Sequence, residues 1–357
     1  MTEILLDMTE ASAERLDALR DLSSLYEGRL NQPDRALRWT LEALRESSGD
    51  SVLLEDTLRL AGATRTYRDT VDVLRKLRDA SEGEARQQLS LAAAQIAMWA
   101  GDRDGAMADA LGACGVVREL SSAAGEVLEE LLVPGAGSDL LRERCGELIE
   151  PLSRDAQVAA WRVLAQRFEA SWQDIQGAIL AWTRLRDLGE QVQGANSELD
   201  RLYEASQDPR AWSEHLLGRV QQILPLEEHL ELGRKLVDVL ADELDEFERA
   251  TEQGESLGEL APDRVWIWER LSRLYAEQAD AAGLNATWER ESPLLDDESE
   301  RYDRTLDYAK LFADHTPASH QAVRFLEQAT QSQPGESRAI SMMQQLRDAL
   351  DPDDSLF

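Results

Sequence analysis

One helical segment recurs along this chain at a nearly constant spacing, and the recurrence limits what the chain can fold into. From Leu16 to Tyr26, leucines fall at three- and four-residue steps, which places them on one face of a helix. The aromatic residue that ends this pattern returns as Phe168, Tyr203 and Tyr275. The successive separations are 142, 35 and 72 residues. They are multiples of a period of roughly 35.5 residues, which is typical of a helical repeat.

Each period has room for two helices. The first helix ends near Asn31, and the segment QPDRALRWTLEAL begins a second, with Pro33 and Asp34 in its first turn, where both are favourable. A tight turn between the two helices makes an antiparallel hairpin, whose apolar face only neighbouring hairpins can cover. This spacing predicts helix pairs over residues 13–48, 51–80, 83–114, 119–152, 154–189, 191–224, 227–258, 263–292 and 299–332, and a lone helix over 336–350.

The residues around each aromatic position resemble the tetratricopeptide repeat (TPR). Leu22, Leu25 and Tyr26, followed ten residues later by Ala36, are similar to the family pattern. The small residue of the family pattern is present as Ser23, Ala165 and Ser272 and is replaced by Asp200 in the remaining unit. The tryptophan of the pattern is present as Trp161 and Trp268 and is replaced by Leu19 and Asn196 in the other two units. The resemblance implies an all-α fold, a right-handed superhelical α-solenoid of about nine TPR-like helix-turn-helix repeats plus a terminal helix.

Glycine and proline divide the predicted array. The segment VPGAGSD, residues 133–139, interrupts the helical pattern, and glycines at 112, 115, 125, 135 and 137 weaken helices nearby. We therefore expect N-terminal repeats over 1–132, an irregular segment or kinked repeat over 133–153, and C-terminal repeats with a capping helix over 154–357. Residues 4–8 are either an abbreviated cap or the end of a helix from a longer protein.

The charge balance selects among classes of partner. The chain has 38 basic and 70 acidic residues and a formal net charge of −32. This charge opposes binding to nucleic acid and to anionic lipid, so we expect a basic or neutral protein or peptide partner. Two isolated cysteines favour a reduced cytoplasmic setting, and the sequence has no apolar run of the roughly 18 residues that a membrane span requires.

Several motifs suggest chemistry, but each has a simpler structural interpretation. The acids of DDESE, residues 296–300, have a spacing found in magnesium-diphosphate sites, yet they directly precede a helix, where acids stabilise the N-terminus. PGAGSDL, residues 134–140, lacks a phosphate-loop pattern.

Cys114 and Cys145 fit buried packing positions. The four histidines include no HExxH, and the nine tryptophans fit contacts between repeats. We predict no catalytic residue, no metal and no cofactor.

The resemblance also implies a binding surface. In TPR-like repeats the first helices line the concave face, and residues beside the buried aromatic point into it. The implied residues are Asp17, Arg20, Ser24, Glu27, Arg162, Gln166, Glu169, Ser197, Arg201, Glu204, Trp266, Glu269 and Arg273. Alternating arginine and glutamate suits an extended peptide or helix. The other interpretation is a solvated face with ion pairs inside each helix.

These features predict a non-catalytic protein-protein interaction scaffold or adaptor. The alternative is a helical-repeat regulatory subunit, or a fragment of a larger multidomain protein or enzyme complex whose catalytic part lies elsewhere. The two differ in whether the protein extends beyond this sequence.

Overall fold

The computed structural model describes residues 12–115, 117–131, 137–189, 192–316 and 319–349, and every regular element in these ranges is helical. The predicted all-α class is therefore confirmed. The chain divides into two compact units, residues 1–206 and 207–357. The boundaries expected at 132 and 153 stay a prediction, and residues 1–11 and 132–136 lie outside the described ranges.

The first unit contains α1 to α11. Their bounds are Ser12–Gly28, Pro33–Glu46, Ser51–Thr64, Tyr67–Asp79, Gly83–Trp99, Arg103–Ala113, Arg118–Leu131, Gly137–Ile149, Arg154–Ala170, Ile175–Asp187 and Val192–Ala205. One continuous apolar cluster, which extends in sequence from Leu19 to Leu202, forms its core. Each hairpin therefore contributes apolar side chains to its neighbours, as the repeat pattern requires.

The second unit contains α12 to α19. Their bounds are Pro209–Val220, Leu226–Asp238, Phe247–Leu260, Val265–Glu277, Ala281–Glu291, Glu298–His315, Ser319–Ser332 and Ser337–Ala349. A short π-helical segment, Val239–Glu243, follows α13, and a 3-10 turn, Ser292–Leu294, follows α16. Two apolar clusters form the core, one from Leu216 to Leu274 and one from Ala276 to Ala339.

The helix pairs predicted from the sequence are confirmed. Helices α5 and α6, for example, cover residues 83–113 where 83–114 was expected, and α19 covers 337–349 where 336–350 was expected. The terminal helix follows nine pairs among the described residues, in agreement with the predicted TPR-like arrangement. The handedness of a superhelix stays a prediction.

The turns inside the hairpins share one backbone conformation. In every described turn between the first and second helix of a pair, the residue before the N-cap has a positive φ, between 52° and 76°: Asn31, Arg65, Gly101, Gln173, Gln207, Asp245 and Ala279. Aspartate side chains then cap four of the second helices, at Asp102, Asp174, Asp208 and Asp280. The same left-handed backbone conformation therefore recurs at this position of successive helix pairs.

Two of the recurring aromatic residues, Phe168 and Tyr275, lie directly against the second helix of their hairpin. Phe168 packs so closely on Gly177 that a Cβ at this position would overlap the ring, and Tyr275 packs in the same way on Gly283. The main-chain oxygen of Phe168 also accepts a hydrogen bond from the N-cap residue of α10, at 2.8 Å. In these two hairpins the aromatic residue and the facing glycine thus hold the two helices together.

Candidate functional site

The thirteen residues expected on the binding surface all lie on first helices of hairpins, namely α1, α9, α11 and α15, and each is at least partly exposed. Ten belong to the first unit, and Trp266, Glu269 and Arg273 belong to the second. Their assignment to a concave face stays a prediction.

Ion pairs connect the first helices of successive hairpins in the first unit. Arg201 on α11 contacts both carboxylate oxygens of Glu169 on α9 at 2.7 Å. Arg167 on α9 contacts Glu129 on α7 at 2.6 Å, and Arg59 on α3 pairs with Glu27 on α1. In each pair the arginine lies on the later helix. We call this series the inter-repeat ion pairs.

The same arrangement occurs in the second unit. Arg270 on α15 lies 3.1 Å from Asp238 on α13, and Arg338 on α19 lies 2.8 Å from Asp303 on α17. Arg304 on α17 approaches Glu269 on α15 at 3.7 Å. In both units these pairs join residues 32 to 38 positions apart, close to the repeat length.

The ion pairs account for part of the alternation of arginine and glutamate that was expected in a binding groove. The hydrogen bond from Arg59 lowers the pKa of the Glu27 carboxyl. Hydrogen bonds to Glu198 and Glu169 raise the pKa of Arg201. Some pairs do lie within one helix, as between Arg201 and Glu198 at 2.9 Å, but the repeated feature joins neighbouring repeats. Four of the thirteen expected residues, Glu27, Glu169, Arg201 and Glu269, belong to this series.

Two cavities of the first unit bring four of the expected residues together. One cavity, of about 330 Å³, lies among α9, α10 and α11 and is lined by Ala165, Gln166, Glu169, Trp182, Glu198 and Arg201. The other, of about 400 Å³, lies between α7 and α9, and its lining includes Arg162 and Gln166. Because Gln166 lines both, we treat the two as one site, the α7–α9–α11 groove.

The two halves of the groove differ in charge. The α9–α11 half carries Glu169 and Glu198 beside Arg201. The α7–α9 half is lined by Arg118, Arg162 and Arg167 together with Ser121 and Ser122, and no carboxylate is among its lining residues. The groove therefore has an arginine-rich half and a half with two glutamates.

The TPR resemblance implied no groove role for Arg118, Arg167, Trp182 or Glu198. Arg118 lies on α7 and Trp182 on α10, whereas the TPR resemblance implied groove residues only on α1, α9, α11 and α15. Arg167 precedes the buried Phe168, so the resemblance gave it no role. For Arg167 the available signal was the recurrence of an arginine 32 to 38 residues after an acid on the preceding first helix.

The motifs weighed for chemistry have structural roles where they are described. Asp297 caps α17 and accepts hydrogen bonds from the backbone N–H groups of Ser299 and Glu300, at 2.7 and 3.3 Å. This confirms the capping interpretation of DDESE. Cys114 and Cys145 are buried free thiols, as predicted, and burial raises their pKa to about 12 and about 11. Residues 134–136 of PGAGSDL lie outside the described ranges.

Neither a metal-binding cluster nor a membrane-spanning helix occurs among the described residues. No group of three or more His, Cys, Asp or Glu side chains in this part of the chain is arranged to hold a metal ion. No described helix combines the length and apolar character that crossing a membrane requires.

The comparisons with known proteins give similarities to solved structures only. No protein-family model and no curated protein matches the chain. The TPR domain of P58(IPK) is 12% identical with a TM-score of 0.26, over 93% of this chain and 97% of that one. Yeast Tom70 is 13% identical with a TM-score of 0.24, over 94% and 89%. The Cut9-Hcn1 hetero-tetramer of the APC/C is 11% identical with a TM-score of 0.26, over 95% and 91%. The TPR-like arrangement is supported by the helix pairs and by the backbone conformation that their turns share.

Proposed function

We propose that this chain is a non-catalytic interaction scaffold that binds a protein or peptide partner in the α7–α9–α11 groove. The observation that carries the proposal is the convergence of Arg162, Gln166, Glu169 and Arg201 on two adjoining cavities. These residues come from two successive first helices, and the cavities between such helices suit an extended segment.

The groove supplies both polar anchors and apolar contact. The lining of the α9–α11 half includes the half-buried Trp182, whose indole N–H has no hydrogen-bond partner among the described residues. Aromatic and arginine side chains contribute most of the energy in many protein interfaces. Arg201 is already oriented by Glu169 and Glu198, so little of its conformational freedom remains to be lost on binding.

The inter-repeat ion pairs support a scaffold because they keep successive first helices in a fixed relation. A surface that is fixed before binding has a smaller entropic cost of association. We expect the partner to be basic or neutral overall, in line with the net charge of −32.

A photo-crosslinking experiment tests the proposal. The photoreactive residue p-benzoylphenylalanine replaces Gln166 in the groove or, as a control, Arg45 on α2, whose side chain is 52% exposed. After illumination in lysate of the source cells, we expect one protein to be captured in stoichiometric amount from Gln166 and not from Arg45. Equal capture from both positions, or none from Gln166, would contradict the proposal.

A charge exchange separates recognition from folding. The double variant Glu169→Arg with Arg201→Glu keeps an ion pair between α9 and α11 but reverses its direction. If the groove recognises the partner, the exchange abolishes capture while hydrogen exchange in α9 and α11 stays as in the parent. Retained capture would mean that the partner binds elsewhere.

A further inference from the structure

The α7–α9 half of the groove has an unusual charge for this protein. In a chain with 70 acidic residues, three arginines line one cavity of about 400 Å³, and its lining contains no carboxylate. Ser121 and Ser122 lie in the first turns of α7, where the helix dipole adds positive potential. The cavity therefore offers a site for an anion.

Arg167 is held in place by two features of α7. Its Nη1 group donates to Glu129 at 2.6 Å, and Ser171 also hydrogen-bonds this glutamate. The guanidinium lies against Gly125, where a Cβ would be only 2.8 Å from Arg167 Nε and 3.1 Å from Val163 Cγ1. The absence of a side chain at this buried glycine thus creates the space in which Arg167 lies.

The charge of the lining indicates the class of anion. Glu129 offsets part of the charge of Arg167, and Arg162 has a partner of its own. A guanidinium carries five N–H donors in a planar fork, so one ion pair does not use its full capacity. A monocarboxylate supplies one charge and two oxygens, whereas a phosphoryl group supplies a charge of about −1.5 to −2 and three acceptor oxygens. Three arginines match the charge and the number of acceptor oxygens of a phosphoryl group better than those of a monocarboxylate.

We propose that the α7–α9 half of the groove is a phosphoryl-binding site that uses Arg118, Arg162 and Arg167. The group is either part of a phosphorylated side chain of the partner or a free phosphate. The first case rests on the proposed scaffold function. Direct titration with small anions needs no partner, so failure of this proposal can be distinguished from failure of the scaffold proposal.

The test follows the arginine Nε–Hε resonances by ¹H–¹⁵N NMR during titration at constant ionic strength, with assignments from single arginine variants. The probes are inorganic phosphate, N-acetyl-phosphoserine-N-methylamide and acetate. We expect saturable shifts of Arg118 and Arg167 with a phosphoryl probe and affinity for acetate about tenfold weaker. Tighter binding of the blocked phosphoserine indicates a phosphorylated partner, and saturation by inorganic phosphate alone indicates a free phosphate.

Two variants identify the site. Gly125→Ala displaces Arg167 without removing a charge, and Arg118→Gln removes one. Each is expected to weaken phosphate binding about tenfold, by loss of a charge-assisted hydrogen bond. Arg45→Gln, which removes an arginine from α2, is the matched control and keeps parent affinity. The absence of saturable shifts, equal affinity for acetate, or unchanged binding by both groove variants would overturn the proposal.

Discussion

Replacing Glu291 by glutamine tests whether a buried ion pair stabilises the second unit. Glu291 at the end of α16 has no exposed surface. Its carboxylate accepts hydrogen bonds from Arg304 Nε at 2.6 Å, from Arg304 Nη2 at 3.0 Å and from the Tyr308 hydroxyl at 2.8 Å. Burial, together with the nearby carboxylate of Glu291, raises the pKa of the Tyr308 hydroxyl, which therefore acts as a donor.

The expected loss of stability depends on the ion pairs that Arg304 keeps in the variant. Breaking a buried pair by removing one partner costs about 3–5 kcal/mol, because the other charge stays buried. Arg304 keeps Asp307 at 3.4 Å and Glu269 at 3.7 Å, which compensate in part. We therefore expect a loss of roughly 3 kcal/mol in the local free energy of opening, at the lower end of that range.

Hydrogen exchange measured by mass spectrometry gives this loss helix by helix. Since each factor of ten corresponds to about 1.4 kcal/mol, exchange in α16 and α17 should accelerate roughly a hundredfold. Repeat stability depends on nearest neighbours, so α3 to α6 should not change. Glu269→Gln is the matched control, since its side chain is 40% exposed and its loss should cost less than about 1 kcal/mol. Equal effects of the two variants, or acceleration throughout the chain, would refute the reasoning.

Three further predictions concern the hairpins, a helix cap and the buried thiols. Gly177→Ala places a methyl group against the packed ring, and it should destabilise α9 and α10 by about 1–3 kcal/mol in the same exchange measurement. Asp297→Ala removes the α17 cap and should cost about 1 kcal/mol, whereas Asp296→Ala, without a capping bond, should be neutral. Cys114 and Cys145 should react with a thiol reagent at pH 8.5 only after denaturation. Their raised pKa values of about 12 and 11 mean that thiol ionisation favours the unfolded state. The stability that the protonated, buried thiols contribute is therefore fully present below their unfolded-state pKa of about 8.5, and it is lost as the pH rises through the folded-state values.

The helix pairs could be predicted because their determinants are local. Apolar spacing, a first-turn proline and the recurring aromatic residue act within one hairpin. Neighbouring hairpins have similar features, so the same prediction applies to each. The backbone conformation of the turns could not be predicted, since residues as different as Asn31, Arg65 and Ala279 all adopt a positive φ there. The position after the first helix determines this conformation more than the residue type does.

Gly125 shows why helix propensity alone does not predict the role of a glycine in this fold. Glycine lowers helix propensity by about 1 kcal/mol relative to alanine, which was the reason to expect an irregular segment nearby. In the structure this glycine lies inside α7, and its missing side chain leaves space for Arg167 from α9. The contact joins two hairpins, so the spacing of residues within one hairpin contains no sign of it.

Net charge likewise describes the groove incompletely. Several arginines of the first helices neutralise acids on the preceding repeat, as Arg59 does for Glu27 and Arg201 for Glu169, so the total of −32 does not give the potential at any one site. The lining of the α7–α9 half contains arginines and no carboxylate, while the other half carries two glutamates. A partner that fits both halves presents an anionic group to the first and a cationic or neutral segment to the second. Recognition in this groove would therefore depend on the order of charges along the partner, and a uniformly basic peptide of the same length should bind less tightly.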